Sequence, residues 1–378
     1  MAVRFKKNTT DSFFGHFLYE QIIPKNHFLV KAKQIIDWDR FTKKCLRYYK
    51  GSAEVGRAPY NPSVLLRMLF LCYLYNISER QIEERVDLDL SFKYFAGLGV
   101  DEKAPDHSCL TYFKERLLAG AGKSAYDQLL REILSQAKQE GIRFGSIQIV
   151  DSVHTIADVN TDKNKQNKDK GGKPRDPDAS WGAKGQKKAR DHQTGKIHRQ
   201  TEYFYGYKAH VSRNQNGIVT SIVTTPGNAY DGHHFKTLVE KDNFTPAPKQ
   251  KTYAADRGYD DGENHEYLKV KKLGNAIKLN RYRTEKINQN KKPWKDLKQE
   301  KTYYEGLKQR YEIEQTFGQM KQGHGLRRAR YLGVDKFHIQ ASLTALVINL
   351  KVVVATMTGS TLKGYGYRGN AVRFGASP

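Results

Sequence analysis

The chain has 378 residues, a hydrophobic content of 38% and a formal net charge of +25. The length allows two or three domains with a proper core, and the charge points to a polyanionic partner rather than a small neutral one. Cys45, Cys72 and Cys109 form no C-x-x-C pair, which excludes a thiolate zinc motif and a disulfide framework.

Residues 1–59 read as a mixed basic segment, and "MAVRFKKNTT" leads into no apolar run, so no signal peptide is expected. From Asn61 the pattern is helical. Asn61 suits an N-cap with Pro62 at the first helical position, and "SVLLRMLFLCYLY" is apolar nearly all round, as in a central helix. Ser78 with Gln81 spells a capping box. Further helices are expected up to Gly97, from Asp106 or Ser108 to Gly120, and up to Gly141. Residues 60–141 are therefore expected to form an all-α DNA-binding domain. In it Tyr112, Lys114 and Arg116 share one helix, which either reads a groove or packs on the protein.

The period then changes. "GSIQIVDSVHTIADV" (145–159), "TEYFYGYKAHVSR" (201–213) and "IVTSIVTTP" (218–226) read as strands, the last two joined by the turn "NQNG". A helix over 231–241, a strand ending at Asp256, a helix ending at Gly274, the strand "NAIKLN" and a basic connector over 280–304 follow. The order predicts a mixed sheet covered by helices over 145–334. Residues 160–200, dense in Lys and Gly, read as a basic loop insertion facing nucleic acid, with Lys187, Lys188 and Arg190 for phosphates and Trp181 for base stacking. "ALVINLKVVVATM" is too short to cross a bilayer and reads as a buried C-terminal helix within 335–358, followed by a disordered basic tail, 359–378.

Two acids stand out. Asp151 interrupts a core strand, where an ionised carboxylate is costly unless it is paired or binds a metal. Asp256 ends the strand "TYAAD". If the strands are neighbours the carboxylates converge, and they repel unless a cation or proton sits between them. Carboxylates without Cys or His suit hard ions such as Mg²⁺. In "RYEIEQTFGQMKQ" (310–322) Arg310, Glu314 and Lys321 fall in one helical stripe. Glu314 can supply a third carboxylate to a two-metal site. Glu312 points away from that stripe. Lys208 and His210 share a strand face, which either reaches DNA or the site or simply packs, and Arg257 follows Asp256. Asp231, His233 and His234 in "AYDGHH" suit either a helix start or a layer supporting the acids.

These stretches resemble the DDE transposases of bacterial insertion sequences, in the group around insertion sequences four and five. The resemblance rests on "IVDSVHTIAD", "DPDASWGAKG", "YGYKAHV", "TTPGNAYDGHHF", "AADRGYD" and "RYEIEQTFGQMKQGHGLRRARYLG". The helical stretch 57–117 is similar to their N-terminal domain. In the family's Tyr-Arg-Glu-Lys signature, Arg310, Glu314 and Lys321 match, while Leu307 stands where a Tyr is expected. The resemblance implies an α+β multidomain chain, with an all-α N-terminal domain followed by an RNase H-like catalytic domain and a C-terminal helix. It implies the triad Asp151, Asp256 and Glu314 as metal ligands for two Mg²⁺ or Mn²⁺ ions. It further implies cleavage at transposon ends and strand transfer into target DNA by a homodimer in the bacterial cytoplasm, with no membrane. A silent DNA-binding relative, or a nuclease that does not join strands, fits the same residues.

Overall fold

A computed structural model describes residues 5, 13–49, 58–190, 197–242, 251–280, 297–298 and 300–362. Its first part is helical: α1 (Phe13–Ile22), α2 (Phe28–Ile35), α3 (Trp38–Leu46), α4 (Pro62–Leu74), α5 (Glu79–Leu88), α6 (Leu90–Ala96), α7 (His107–Ala121) and α8 (Lys123–Gln139). Local chemistry sets several ends. Asn61 accepts from the Ser63 amide ahead of Pro62, and Ser78 and Gln81 close the capping box in both directions. Asp106 rather than Ser108 caps α7, and Gly97 ends α6 at φ 82°. The segment 1–59, read as mixed and basic with no elements assigned, contributes α1 to α3. Its apolar residues, among them Phe28, Leu29, Trp38 and Phe41, are spent in the core.

The second part is a mixed sheet. Its strands are β1 (Ile147–Ile156), β2 (Ser180–Arg190), β3 (Ile197–Asn214), β4 (Val219–Pro226), β5 (Thr252–Ala255) and β6 (Gly274–Ile277), in the order β2-β3-β1-β5-β6 with β4 also on β3. The pairs β1/β3, β2/β3 and β3/β4 are antiparallel, whereas β1/β5 and β5/β6 are parallel. An antiparallel meander continued by parallel strands through crossover helices is the RNase H-like arrangement. Helices α9 (Thr161–Asp169), α10 (Phe235–Lys241), α11 (Gly262–Val270), α12 (Lys301–Gln309), α13 (Glu312–Gly318) and α14 (Val334–Thr358) complete it. Gly206 is required in β3 because a Cβ there would lie 2.1 Å from the Thr155 carbonyl oxygen. Gly306 lets α12 sit on the sheet, since a Cβ would come within 2.4 Å of the Ala276 methyl.

Two expectations change here. The insertion 160–200 carries α9 and a long ribbon, with β2 pairing to the first half of β3 from Ser180↔Gly206 to Arg190↔Ile197. A Lys- and Gly-rich strand has no apolar alternation to announce it, and its ladder depends on a distant partner. The C-terminal helix begins at Val334, and its 25 residues are long and apolar enough to cross a membrane, yet 72% of its most apolar window is buried in the protein. The connector residues 281–296 and the tail residues 363–378 lie outside the described residues.

The core does not stop at the boundary expected near 141–145. One cluster joins Leu69 and Phe70 of α4, Leu130 and Ile133 of α8, Tyr207 and Val211 of β3, Ile222 of β4, and Leu343, Leu346, Val347 and Leu350 of α14. Helix α14 packs against α8, α4, α2 and β4 and so lies between the helical part and the sheet. Its polar residues are matched: Asn349 exchanges hydrogen bonds with the Val219 backbone at 2.8 Å each way, and His338 sits between Asp127 and Thr224.

Candidate active site

Strands β1 and β5 are parallel neighbours in the register Val150↔Ala255, so the next residues, Asp151 inside β1 and Asp256 just past β5, come side by side at the end where β5 stops. That end of an open α/β sheet is where ligands commonly bind. Strand β5 is short and stops there, so β1 continues past it. Asp256 caps the 3-10 turn Arg257–Tyr259, accepting from the Gly258 amide at 2.8 Å. Asp151 accepts from the Ser152 amide at 2.7 Å, and the Arg310 guanidinium lies 4.0 Å from its other oxygen. Burial, then the charge of Asp256, pushes Asp151 up to about 7. Asp256 is also raised, by burial first and by Asp231 after it, against the pull of the Gly258 amide. The buried Tyr259 hydroxyl is raised by burial and then by Asp151, Asp231 and Asp256, the field of three acids converging on one place.

The helix expected over 310–322 is broken. Arg310 ends α12, Tyr311 precedes α13, and a π-turn, Gln319–Gly323, inserts extra residues ahead of Lys321. Ile313 packs on Ile147 and Ile149, and Met320 enters the main core, so the apolar face holds the helix on the sheet. Glu314 is exposed, and its carboxylate has no hydrogen bond or ion pair among the described residues. Glu312 instead meets Arg213 at 3.1 Å, which occupies it structurally. Leu307 lies against Ala254, Ala276, Leu297 and Tyr303, an apolar use of the position where the family's Tyr was expected. Lys321 is half-buried with its ammonium 3.2 Å from His154 Nε2. Burial, then Lys184 and Arg327, lowers Lys321 to about 8, while burial and Lys321 hold His154 at about 4. A half-buried ammonium surrounded by other cations is well prepared for an anion.

Other expected contacts are redistributed. His210 is fully buried, with Nε2 3.0 Å from the Thr225 hydroxyl, which removes it from any DNA-facing surface. Lys208 points inward to Asp231 at 2.8 Å and to the Ala229 carbonyl at 2.9 Å. Arg257 is exposed beside Asp256. Lys187, Lys188 and Arg190 are exposed along β2, as is Trp181, whose ring lies 5.6 Å from that of Tyr205. In α7, Tyr112 and Arg116 are exposed, but Lys114 is buried against Glu79 and donates to the Tyr331 hydroxyl at 2.9 Å. Glu79, Lys114 and Tyr331 line a cavity of about 440 Å³ at the junction of α5, α7 and the segment before α14, whose lining includes none of Asp151, Asp256 and Glu314.

Asp231 was weighed only as a helix start or support. It lies beside the acids and accepts from the Ser152 hydroxyl at 2.9 Å. The acid in "AYDGHH" was visible, but its partner is 79 residues earlier. Among the described residues, the three-membered His, Cys, Asp or Glu group whose ligand atoms all lie within 4.8 Å is Glu83, Asp106 and His107. Local structure accounts for it, since Asp106 caps α7 and Glu83 accepts from the His107 amide at 2.9 Å.

Comparison with known proteins points to one kind of protein. The family described as "Transposase domain (DUF772)" matches residues 17–116, and "Transposase DDE domain" matches residues 148–350. The transposase for insertion sequence element IS1106 of Neisseria meningitidis serogroup B is 32% identical over 148 residues, 39% of this chain and 47% of that protein. The alignment therefore spans about half the length of that relative. The solved structure of the Mos1 strand transfer complex aligns over 80% of this chain and 98% of that one, at 14% identity and a TM-score of 0.18, too slight a likeness to bear on the fold.

Proposed function

We propose, since this chain belongs to the DDE transposase family, that it binds transposon ends and cuts and joins DNA strands by phosphoryl transfer at Asp151, Asp256 and Glu314. The observation that carries the reading is the pair of carboxylates brought side by side by the β1/β5 register, poorly exposed and both driven up by burial, Asp151 further by the charge of Asp256 and Asp256 by that of Asp231. Such a pair is at rest only with a proton or a cation between its members. Their donors are hard oxygens, which fit Mg²⁺ or Mn²⁺, and Asp151, Asp256 and Glu314 are the residues to hold two such ions. Bound there, the ions would neutralise the carboxylates and polarise the phosphoryl oxygens.

The remaining roles belong to the chain's own side chains. Arg310, 4.0 Å from Asp151, and Lys321, beside His154, receive the phosphates. Arg257 extends that cationic rim. Lys187, Lys188 and Arg190 on the ribbon follow the DNA backbone, and Trp181 offers a stacking face. Little else need act as a base, because phosphoryl transfer is mainly positioning and charge stabilisation. A homodimer on DNA, in the bacterial cytoplasm at the nucleoid, completes the reading.

The test is nicking and joining by wild type and Asp256→Asn, with and without Mg²⁺, on DNA carrying the sequences that flank the gene. Wild type is expected to cut and join while the variant only binds. Binding without reaction by both proteins would favour a silent DNA-binding protein, and cutting without joining would favour a nuclease.

A further inference from the structure

Asp231 stands closer to the acids than a helix start requires. Its two oxygens are divided between two strands: one accepts from the Ser152 hydroxyl at 2.9 Å, the other from the Lys208 ammonium at 2.8 Å. Ser152 is the residue after Asp151, and its amide is the hydrogen bond that fixes the Asp151 carboxylate. Lys208 is held in turn by the Ala229 carbonyl at 2.9 Å, two residues before Asp231. Behind this pair His210, wholly buried, has an Nδ1 with no hydrogen-bond partner, 3.8 Å from the Asp231 oxygen that Lys208 uses. A buried orphan nitrogen aimed at a carboxylate marks a place where the network is held rather than merely filled.

We propose that Asp231 is a positioning residue for the Asp151–Asp256 site: it fixes Ser152, and through it the Asp151 carboxylate, against Lys208 on β3. Both of its oxygens are engaged by the protein, so it acts through Asp151 rather than beside it. This inference rests on the proposed divalent-cation site. It differs from a stability role in a measurable way. Loosening a carboxylate that supports a metal ligand costs about 10- to 100-fold in metal affinity, whereas a helix start alone would alter only folding.

The experiment is a Mn²⁺ titration of the full chain, following the free-ion signal by electron paramagnetic resonance, for wild type, Asp151→Asn, Asp231→Asn and Ser152→Ala. Circular dichroism and thermal unfolding are recorded on each. Wild type is expected to bind Mn²⁺ and Asp151→Asn to lose it. Asp231→Asn, with an unchanged fold, is expected to weaken binding by about tenfold or more. Ser152→Ala, which removes the same hydrogen bond from the other side, is expected to weaken it in the same direction, and it decides the matter if Asp231→Asn does not fold. Wild-type affinity in a folded Asp231→Asn, or in Ser152→Ala should the first variant be unfolded, overturns the inference and leaves the cation site standing. Failure of wild type to bind Mn²⁺ overturns the cation site itself, and the inference falls with it.

Discussion

Asp127, under α14, and Asp151, midway along β1 beside the end of β5, are both poorly exposed carboxylates, with 13% and 19% of their side chains accessible. Burial pushes both upward. At Asp127 the hydrogen bonds and charges of His338 and Lys241 outweigh burial and hold the carboxyl below its ordinary range. At Asp151 the largest effect of a neighbouring charge comes from another acid, Asp256, and the Arg310 guanidinium 4.0 Å away does not compensate. At Asp127 the core supplies the buried charge with its opposites, while the place where β1 and β5 meet gathers like charges and leaves the balance to something that arrives. Local discomfort of this kind marks function better than burial or charge alone.

The strongest way to break the comparison is chemical. Asp151→Asn and Asp256→Asn should each lower Mg²⁺-dependent cleavage by more than about a thousandfold with circular dichroism unchanged, whereas Asp127→Asn should leave the rate per folded molecule intact. Next comes stability. Asp127→Ala strands buried His338 and part of Lys241 and should cost about 3 kcal/mol in urea unfolding. An equal cost from Asp151→Ala would erase the distinction between the regions.

The two regions should also answer pH with opposite signs. Asp151 is raised in the folded state, so the folded protein holds its proton after the unfolded chain has lost it. Without divalent metal, stability should then fall as pH rises from the ordinary carboxylate range to about 7. Lys351, on α14, is lowered by burial to about 8, so the unfolded chain binds the extra proton. Stability should therefore rise as pH climbs from about 8 toward the ordinary lysine value of 10.5. Each slope is bounded by about 1.4 kcal/mol per pH unit. Thermal unfolding across pH should lose the first slope in Asp151→Asn and the second in Lys351→Met. The smallest effect belongs to the ribbon, where replacing Lys187 and Lys188 by Gln should reduce the salt dependence of DNA binding by about two charges and leave the rate at saturating DNA unchanged.

What could be read in advance depended on how far apart the interacting groups lie in the chain. Asn61, Ser78 with Gln81, and Asp106 cap helices through partners two or three residues away, so their signals are local. Asp151 and Asp256 were legible because an acid is conspicuous in an apolar strand, and the parallel register then brings them together. The direction of Lys208 and the burial of His210 were not, because both depend on Asp231, more than twenty residues later. The ribbon was hidden for a similar reason: β2 is exposed along most of its length and its pairing, not its composition, makes it a strand. The π-turn before Lys321 changes the facing of that residue in a way an ideal helical period does not carry.

Helix α14 has a consequence for how the molecule comes into being. Val334–Thr358 is synthesised after every helix and strand it packs against, yet it fills the space between them. At ordinary elongation rates, the first helices wait roughly tens of seconds for their central partner to leave the ribosome. Until then the cluster that holds Leu69, Phe70, Leu130 and Val211 lacks the part that α14 contributes, Leu343, Leu346, Val347 and Leu350 among it. Translation broken off upstream of α14 thus yields no half-working fragment, because the interior common to both parts has not been made. The reading frame is in effect proof-checked by folding: only a ribosome that reads through to Thr358 releases a molecule able to close around its own centre.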